Sequence, residues 1–223
     1  MTGLAVIEAP LQVSIGGGSS AVKLFLLLTA LSFATGALIA ITSFTRIVIV
    51  ISFLRQALGT PQLPPNQVVL ALALALTAFV MAPTFKQVHS EAVGPYLDDQ
   101  ISGEQAYARG SAPVLRFLLQ QTRPDDLRLF YELAGSERPT RADEVPLTIA
   151  IPAFMVSELT TAFRMGLFLF IPLLMVDLFV SAILMALGLM MVPPTLVSLP
   201  LKIGIFLLAD GWHLLVQSLV RSF

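Results

Sequence analysis

The sequence has no cysteine, which excludes disulfides, thiolate metal sites and a cysteine nucleophile. Charge is also scarce. Only 12% of the 223 residues are Asp, Glu, Lys or Arg, against about 25% in an ordinary soluble domain. That is too little to coat a globule of this size, so much of the surface faces lipid or other protein. Histidine occurs only at His89 and His213, too sparse for a metal site or a catalytic triad. There is no Gly-x-Ser-x-Gly elbow, no His-Glu-x-x-His and no phosphate loop. The residues give no reason to expect an enzyme, a cofactor or a metal, and a net charge of −1 gives none to expect a nucleic-acid partner. The first 20 residues carry no Lys or Arg, contain Glu8, and end in Gly16-Gly17-Gly18-Ser19-Ser20. They read as a flexible leader rather than a secretory signal, which needs a basic start.

What is present is apolar: 56% of the residues are hydrophobic. Of the 27 charged residues, 17 lie between Lys86 and Glu144. The chain therefore divides into a leader (1–20), a first hydrophobic helical block (21–85), a polar helical insert (86–144) and a second hydrophobic helical block (145–223). The fold class expected is all-α: a polytopic membrane protein of broken helical hairpins with a small helical insert outside the membrane.

The segment from Leu24 to Thr45 carries no charge and is long enough to cross a hydrocarbon core about 30 Å thick. The apolar run continues from Ile47 to Leu54, and Gly59-Thr60-Pro61 supplies a stop. A second apolar helix is expected from Gln67 to Met81, ending before Pro83. Its small residues Ala71, Ala75, Ala78 and Ala82 recur at helical spacing, which suits close approach of a neighbouring backbone. The insert predicts one amphipathic helix over Ala112 to Gln121. Another starts near Pro124, with Leu127, Tyr131 and Ala134 at helical spacing and Asp125 and Asp126 at its positive end. In the second block, Gly188 and Pro193-Pro194 predict the bend of a hairpin. Pro200 and Lys202 interrupt the apolar run after the bend, and a last helix is expected over Ile203 to Val220. The connection from Ser43 to Asn66 has Arg46 and Arg55 and no acid, whereas the insert is acidic. The positive-inside rule puts the connection in the cytoplasm and the insert outside it.

Six charges interrupt or border the apolar runs: Arg46, Glu158, Arg164, Asp177, Lys202 and Asp210. Bare in lipid, six would cost roughly 15–20 kcal/mol at about 2.5–3.5 kcal/mol each, more than a typical net stability of about 5–15 kcal/mol. Arg46 and Lys202 are long enough to snorkel to the headgroups. The acids are too short, so they need pairing, burial in protein or a watery cavity. Pro152, Pro172, Pro193, Pro194 and Pro200 crowd the second block, and each removes a backbone donor. Non-helical backbone at membrane depth persists only where protein or water satisfies it, so this block is expected to be broken helices packed in a multi-subunit body. Met190-Met191 after Gly188 reads either as ordinary core filling or as a soft plug.

Eight short motifs, in order, carry a resemblance. They are Ser43-Phe44-Thr45-Arg46-Ile47, Leu54-Arg55-Gln56-Ala57-Leu58-Gly59-Thr60, Pro64-Pro65-Asn66-Gln67, Ser157-Glu158-Leu159 with Thr161-Ala162-Phe163, Asp177-Leu178, Gly188-Leu189-Met190-Met191-Val192-Pro193-Pro194, Leu199-Pro200-Leu201-Lys202 and Asp210-Gly211-Trp212. From about Leu24 to Phe223 the chain resembles the FliP family of flagellar type III secretion export-gate proteins. Virulence-associated (injectisome) relatives of the SctR type share the plan, but Thr45-Arg46 and Thr60 favour the flagellar branch.

The resemblance implies a homopentamer assembled helically with FliQ-like and FliR-like subunits, alongside FlhA-like and FlhB-like export proteins. It implies a multi-pass protein of the inner membrane and the flagellar basal body, a periplasmic insert, and a channel for unfolded flagellar proteins. By position it makes Met190 and Met191, with Leu189 in place of a third methionine, the gasket of the pore. It makes Glu158 and Lys202 charge-pairing positions within or between subunits. Two other classes compete. A stand-alone small-solute transporter needs a midplane site between repeats, and a membrane hydrolase needs a nucleophile and base in reach of each other.

Overall fold

The computed structural model describes residues 17–60 and 62–223, so most of the leader and Pro61 lie outside the described residues. Among the described residues all regular structure is helical. The α1 helix, Gly17–Ala40, is apolar over a span sufficient to cross a membrane. Residues 39–223 form a separate compact unit, which holds all the remaining helices.

The α2 helix, Phe44–Leu58, starts after a break at residues 41–43 that no proline or glycine causes. Side-chain hydroxyls make the break instead. The Phe44 N–H donates to Thr42 Oγ1 (3.4 Å), and Thr45 Oγ1 donates to the carbonyl of Ile39 (3.2 Å). Such local bonds compete with the helical ladder. At 15 residues α2 is about 22 Å long, too short to cross about 30 Å. It is the buried core of the unit and lies in the chain between two helices long enough to span, α1 and the helix that starts at Asn66. Arg46, Ile47, Val50, Ile51, Leu54, Ala57 and Leu58 are all buried.

The α3 helix, Asn66–Val88, does not stop before Pro83 but runs through it. A π-helical turn, His89–Val93, and the short α4, Gly94–Leu97, extend the rod. The buried stripe of α3 is Val69, Ala73, Thr77, Met81 and Thr84. The alanine stripe Ala71, Ala75, Ala78 and Ala82 is exposed, so no helix of this unit packs on it.

The insert contributes α5, Gly103–Gln121, and α6, Pro124–Leu133. The α5 helix starts nine residues before the amphipathic pattern of Ala112 to Gln121, because Ser102 and Gln105 form a reciprocal capping box. Leu115, Leu118, Leu127 and Tyr131 turn inward onto Phe154 and Ala150 of the next long helix. Ala134 lies past the end of α6 and is exposed.

That long helix, α7, spans Leu147–Ala186 without interruption despite Pro152 and Pro172. Forty residues make about 60 Å, twice a hydrocarbon core. Its burial is uneven: eight buried positions lie between Ile149 and Gly166 and three beyond. The first half is therefore a protein-packed rod and the second half presents mostly open apolar surface. At Gly166 the ring of Phe53 on α2 comes so close that a Cβ would sit 2.5 Å from its Cγ.

The hairpin bend falls where Gly188 and the proline pair place it. Gly188 takes φ 73°, a left-handed conformation glycine adopts without steric cost, and Pro194 starts α8, Pro194–Leu208. Pro200 and Lys202 sit inside α8 rather than ending it. The break comes later, at Ala209-Asp210, where Asp210 is left-handed (φ 50°). Then α9, Gly211–Arg221, departs from α8 at 65°. Among the described residues three helices are long and apolar enough to cross a membrane, or four if the bent α8–α9 pair counts as one.

Candidate functional site

Arg46 lies in the first turn of α2 and is only 2% exposed. It does not snorkel; it is buried among four segments of the chain. A guanidinium has five N–H donors, and here every one has an acceptor. Nε donates to Glu158 Oε2 (3.0 Å), and one terminal nitrogen also pairs with Glu158 Oε1. That same nitrogen donates to Gln121 Oε1 (3.2 Å). The other donates to the Ser222 carbonyl (2.6 Å) and to Ser222 Oγ (3.0 Å). The plane rests 3.9 Å from the centre of the Phe223 ring, a cation–π contact. Gln121 Nε2 donates to the Phe223 carbonyl (2.8 Å). A fully buried carboxylate, Glu158, thus meets a fully buried cation whose geometry is bidentate. That is the arrangement in which attraction can offset the loss of hydration.

The residue before Glu158 holds the insert. Ser157 Oγ accepts from the backbone N–H of Arg123 (3.0 Å) and donates to Asp126 Oδ2 (2.6 Å). Glu158 reaches Gln121 through Arg46, so two consecutive residues of α7 fix both sides of the α5–α6 corner. Arg55, near the end of α2, similarly ties the start of α3. It donates to the Pro64 carbonyl (3.1 Å) and to Asn66 Oδ1 (2.6 Å).

Lys202 is also buried rather than snorkelling, at 4% exposed. Its Nζ donates to Asp177 Oδ2 (2.5 Å) and to the carbonyl of Ala57 (2.9 Å). Ala57 belongs to the last turn of α2, where carbonyls lack helical partners. Gly59 and Thr60 N–H groups serve Arg55 and Gln56 there, and Lys202 serves the next. One ammonium therefore joins α2, α7 and α8. Glu158 and Lys202 do not meet each other; each has its own partner.

Arg164 and Asp210 are different. Both are exposed, and neither side chain has a hydrogen bond or ion pair among the described residues. The residues of the α7–α8 turn are also open: Leu189, Met190 and Met191 are 46, 81 and 95% exposed. None of them fills a core of this chain. His213 is exposed, and Trp212 packs edge-on against Phe206 with ring centres 5.6 Å apart. Among the described residues no group of three or more His, Asp or Glu side chains is placed to hold a metal ion.

Residues 27–219 match the model of the FliP family. The chain belongs to the FliP family. It is 50% identical over 205 residues to the flagellar biosynthetic protein FliP of Bacillus subtilis, covering 92% of this chain and 93% of the relative. It is 52% identical over 221 residues to the protein of that name in Pectobacterium carotovorum, covering 98% and 84%. To that of Aquifex aeolicus it is 47% identical over 218 residues, covering 96% and 91%. The region matching the FliP family holds all six intramembrane-type charges and the methionine turn. It stops short of Ser222 and Phe223, which complete the Arg46 cluster here.

Sequence reasoning missed Gln121, Asp126, Ser222, Phe223 and the Ala57 carbonyl as partners. Their contacts join positions far apart in the chain, and no local spacing marks them.

Proposed function

We propose that this chain is a core subunit of the flagellar type III protein export gate. The observation that carries the reading is near full-length similarity to several proteins named flagellar biosynthetic protein FliP. The chemistry of the chain is consistent with a structural, non-enzymatic role. Its buried charged side chains, Arg46, Glu158 and Lys202, are consumed in holding helices together, and much of its open surface outside the insert is apolar.

In this reading several copies, five by the family's plan, assemble with FliQ-like and FliR-like subunits beside FlhA-like and FlhB-like proteins. Unfolded flagellar proteins pass through the channel so formed in the inner membrane. The insert lies on the periplasmic side. The turn bearing Leu189, Met190 and Met191 is the gasket, since flexible thioether side chains can close around an irregular chain. Arg46–Glu158 and Lys202–Asp177 are the struts that hold each subunit in the shape its neighbours receive.

The test is secretion. Deleting this chain from its bacterium abolishes release of flagellar filament and hook proteins into the medium, and supplying it in trans restores release. Normal flagellar secretion in the deletion strain, or a defect confined to uptake of a small solute, contradicts the reading.

A further inference from the structure

Nine charges lie in the two apolar blocks. Arg46 pairs with Glu158 and Lys202 with Asp177, Arg55 is held by the Pro64 carbonyl and Asn66, and Lys23 and Arg221 stand at the ends of apolar runs. One base and one acid remain, Arg164 and Asp210, both exposed and without a side-chain partner among the described residues. We propose that Arg164 of one copy pairs with Asp210 of a second copy, and that this contact joins the apolar faces around them. The inference deepens the gate reading and rests on the self-assembly it contains.

Three observations point to a second copy as the occupant. Both charges sit in open apolar surface. Leu167, Phe168 and Ile171 stand around Arg164 at 54, 79 and 48% exposed, and Leu207, Leu208 and Leu214 around Asp210 at 62, 91 and 51%. Each patch lacks what the other supplies: one cation in one, one anion in the other. A partner with the complementary pattern is this chain itself.

Asp210 is also held in place. It is fixed left-handed at the α8–α9 break (φ 50°, ψ 48°). The next residue, Gly211, has no Cβ where the Phe206 ring lies. The carboxylate is therefore presented outward from a packed corner.

The depths also agree. Lys202 and Asp177 fix the antiparallel register of α8 on α7. Asp210, eight residues beyond Lys202, is then roughly level with Leu169, eight residues before Asp177. Leu169 is five residues from Arg164, about 8 Å along the helix. The reach of an arginine side chain, or a small axial stagger between copies, closes that gap.

Arg164 and Asp210 occupy different places on the surface. Pairing one with the other is thus head-to-tail, the kind of contact that builds rings or helical stacks. Each added copy leaves one charge of each sign free for the next.

The experiment uses the full chain in membranes, extracted in mild detergent and sized on native gels. Arg164→Gln removes the cation. Asp210→Asn removes the anion with a residue that tolerates the left-handed backbone. Each alone leaves the other charge buried without a partner, and is expected to lower the oligomeric fraction about tenfold or more. The double variant removes both and is expected to recover much of the wild-type oligomer. Losses that multiply in the double variant, or single variants equal to wild type, overturn the pairing, and a lipid phosphate at Arg164 gives the second result.

Because the chain has no cysteine, Arg164→Cys/Asp210→Cys in one chain supplies a second measurement. A bismaleimide whose spacer is as long as an arginine side chain, a reach that a disulfide lacks, is expected to give covalent multimers beyond the dimer, while either single cysteine stops at the dimer or below. A wild-type oligomer whose double-cysteine form gives no such ladder overturns the pairing and leaves self-assembly standing. A wild-type chain that is monomeric throughout overturns the self-assembly itself.

Discussion

Arg46 shows why a guanidinium rather than an ammonium stands at this position. Five donors meet acceptors on α5, on α7 and after α9, and a lysine has only three. Removing one partner of a buried ion pair costs about 3–5 kcal/mol, because the other charge stays buried, whereas replacing both with apolar residues is often nearly neutral. Arg46→Met and Glu158→Leu are therefore each expected to lower the midpoint of thermal unfolding in detergent, and Arg46→Lys to lower it less. Arg46→Met/Glu158→Leu is expected to recover part of the loss despite orphaning Gln121. A double variant no better than the sum of its singles contradicts the pairing energetics. At Lys202 the sign of the charge is decisive. Lys202→Glu sets an acid beside Asp177 and the Ala57 carbonyl, so it is expected to abolish native-gel assembly, whereas Lys202→Arg retains it in part. Equal assembly of both variants removes the strut. The sequence marked these charges as needing partners. It offered no way to choose burial over snorkelling for Arg46 and Lys202, since that depends on contacts more than a hundred residues apart.

At the scale of elements, α2 and α7 are the pair that matters, and Gly166 sets how closely they approach. A methyl group there would meet the Phe53 ring at 2.5 Å. Overpacking of this kind costs about 1–3 kcal/mol. Gly166→Ala is expected to lower the unfolding midpoint, and adding Phe53→Leu to return part of it. No change in the single variant means the two helices can separate without cost. The bend at Gly188 and the start of α6 at Pro124 were legible because each has a local cause: a left-handed glycine in one case, a proline in the first turn in the other. The proline-rich second block is broken at Pro193-Pro194, as its prolines suggest, but not at the others. Pro152, Pro172 and Pro200 suggested broken helices, yet all lie inside continuous ones. In apolar helices, neighbouring helices and local adjustment compensate for the missing donor. The true break after α8 falls at Asp210, which in the sequence read only as a charge. The break before α2 rests on the hydroxyls of Thr42 and Thr45, in a run whose hydrophobicity continues across it.

At the scale of the whole molecule, α7 is about twice as long as a bilayer core is thick, and its second half is largely uncovered. The alanine stripe of α3, the methionine turn and the faces around Arg164 and Asp210 are open as well. In the gate reading proposed above, so much apolar surface beyond one membrane's depth is expected to be covered by other subunits. The open methionine turn makes the proposed pore testable. Replacing Met190 and Met191 with Gly in the assembled gate is expected to raise ion conductance across a planar bilayer, and unchanged conductance contradicts the gasket. Whether other subunits do cover these surfaces is read from the mass of the wild-type particle, extracted in mild detergent and measured by native mass spectrometry. Several copies of the 24.0 kDa chain together with small helical membrane proteins are expected. A single 24.0 kDa chain, stable and alone in its detergent belt, would contradict subunit burial.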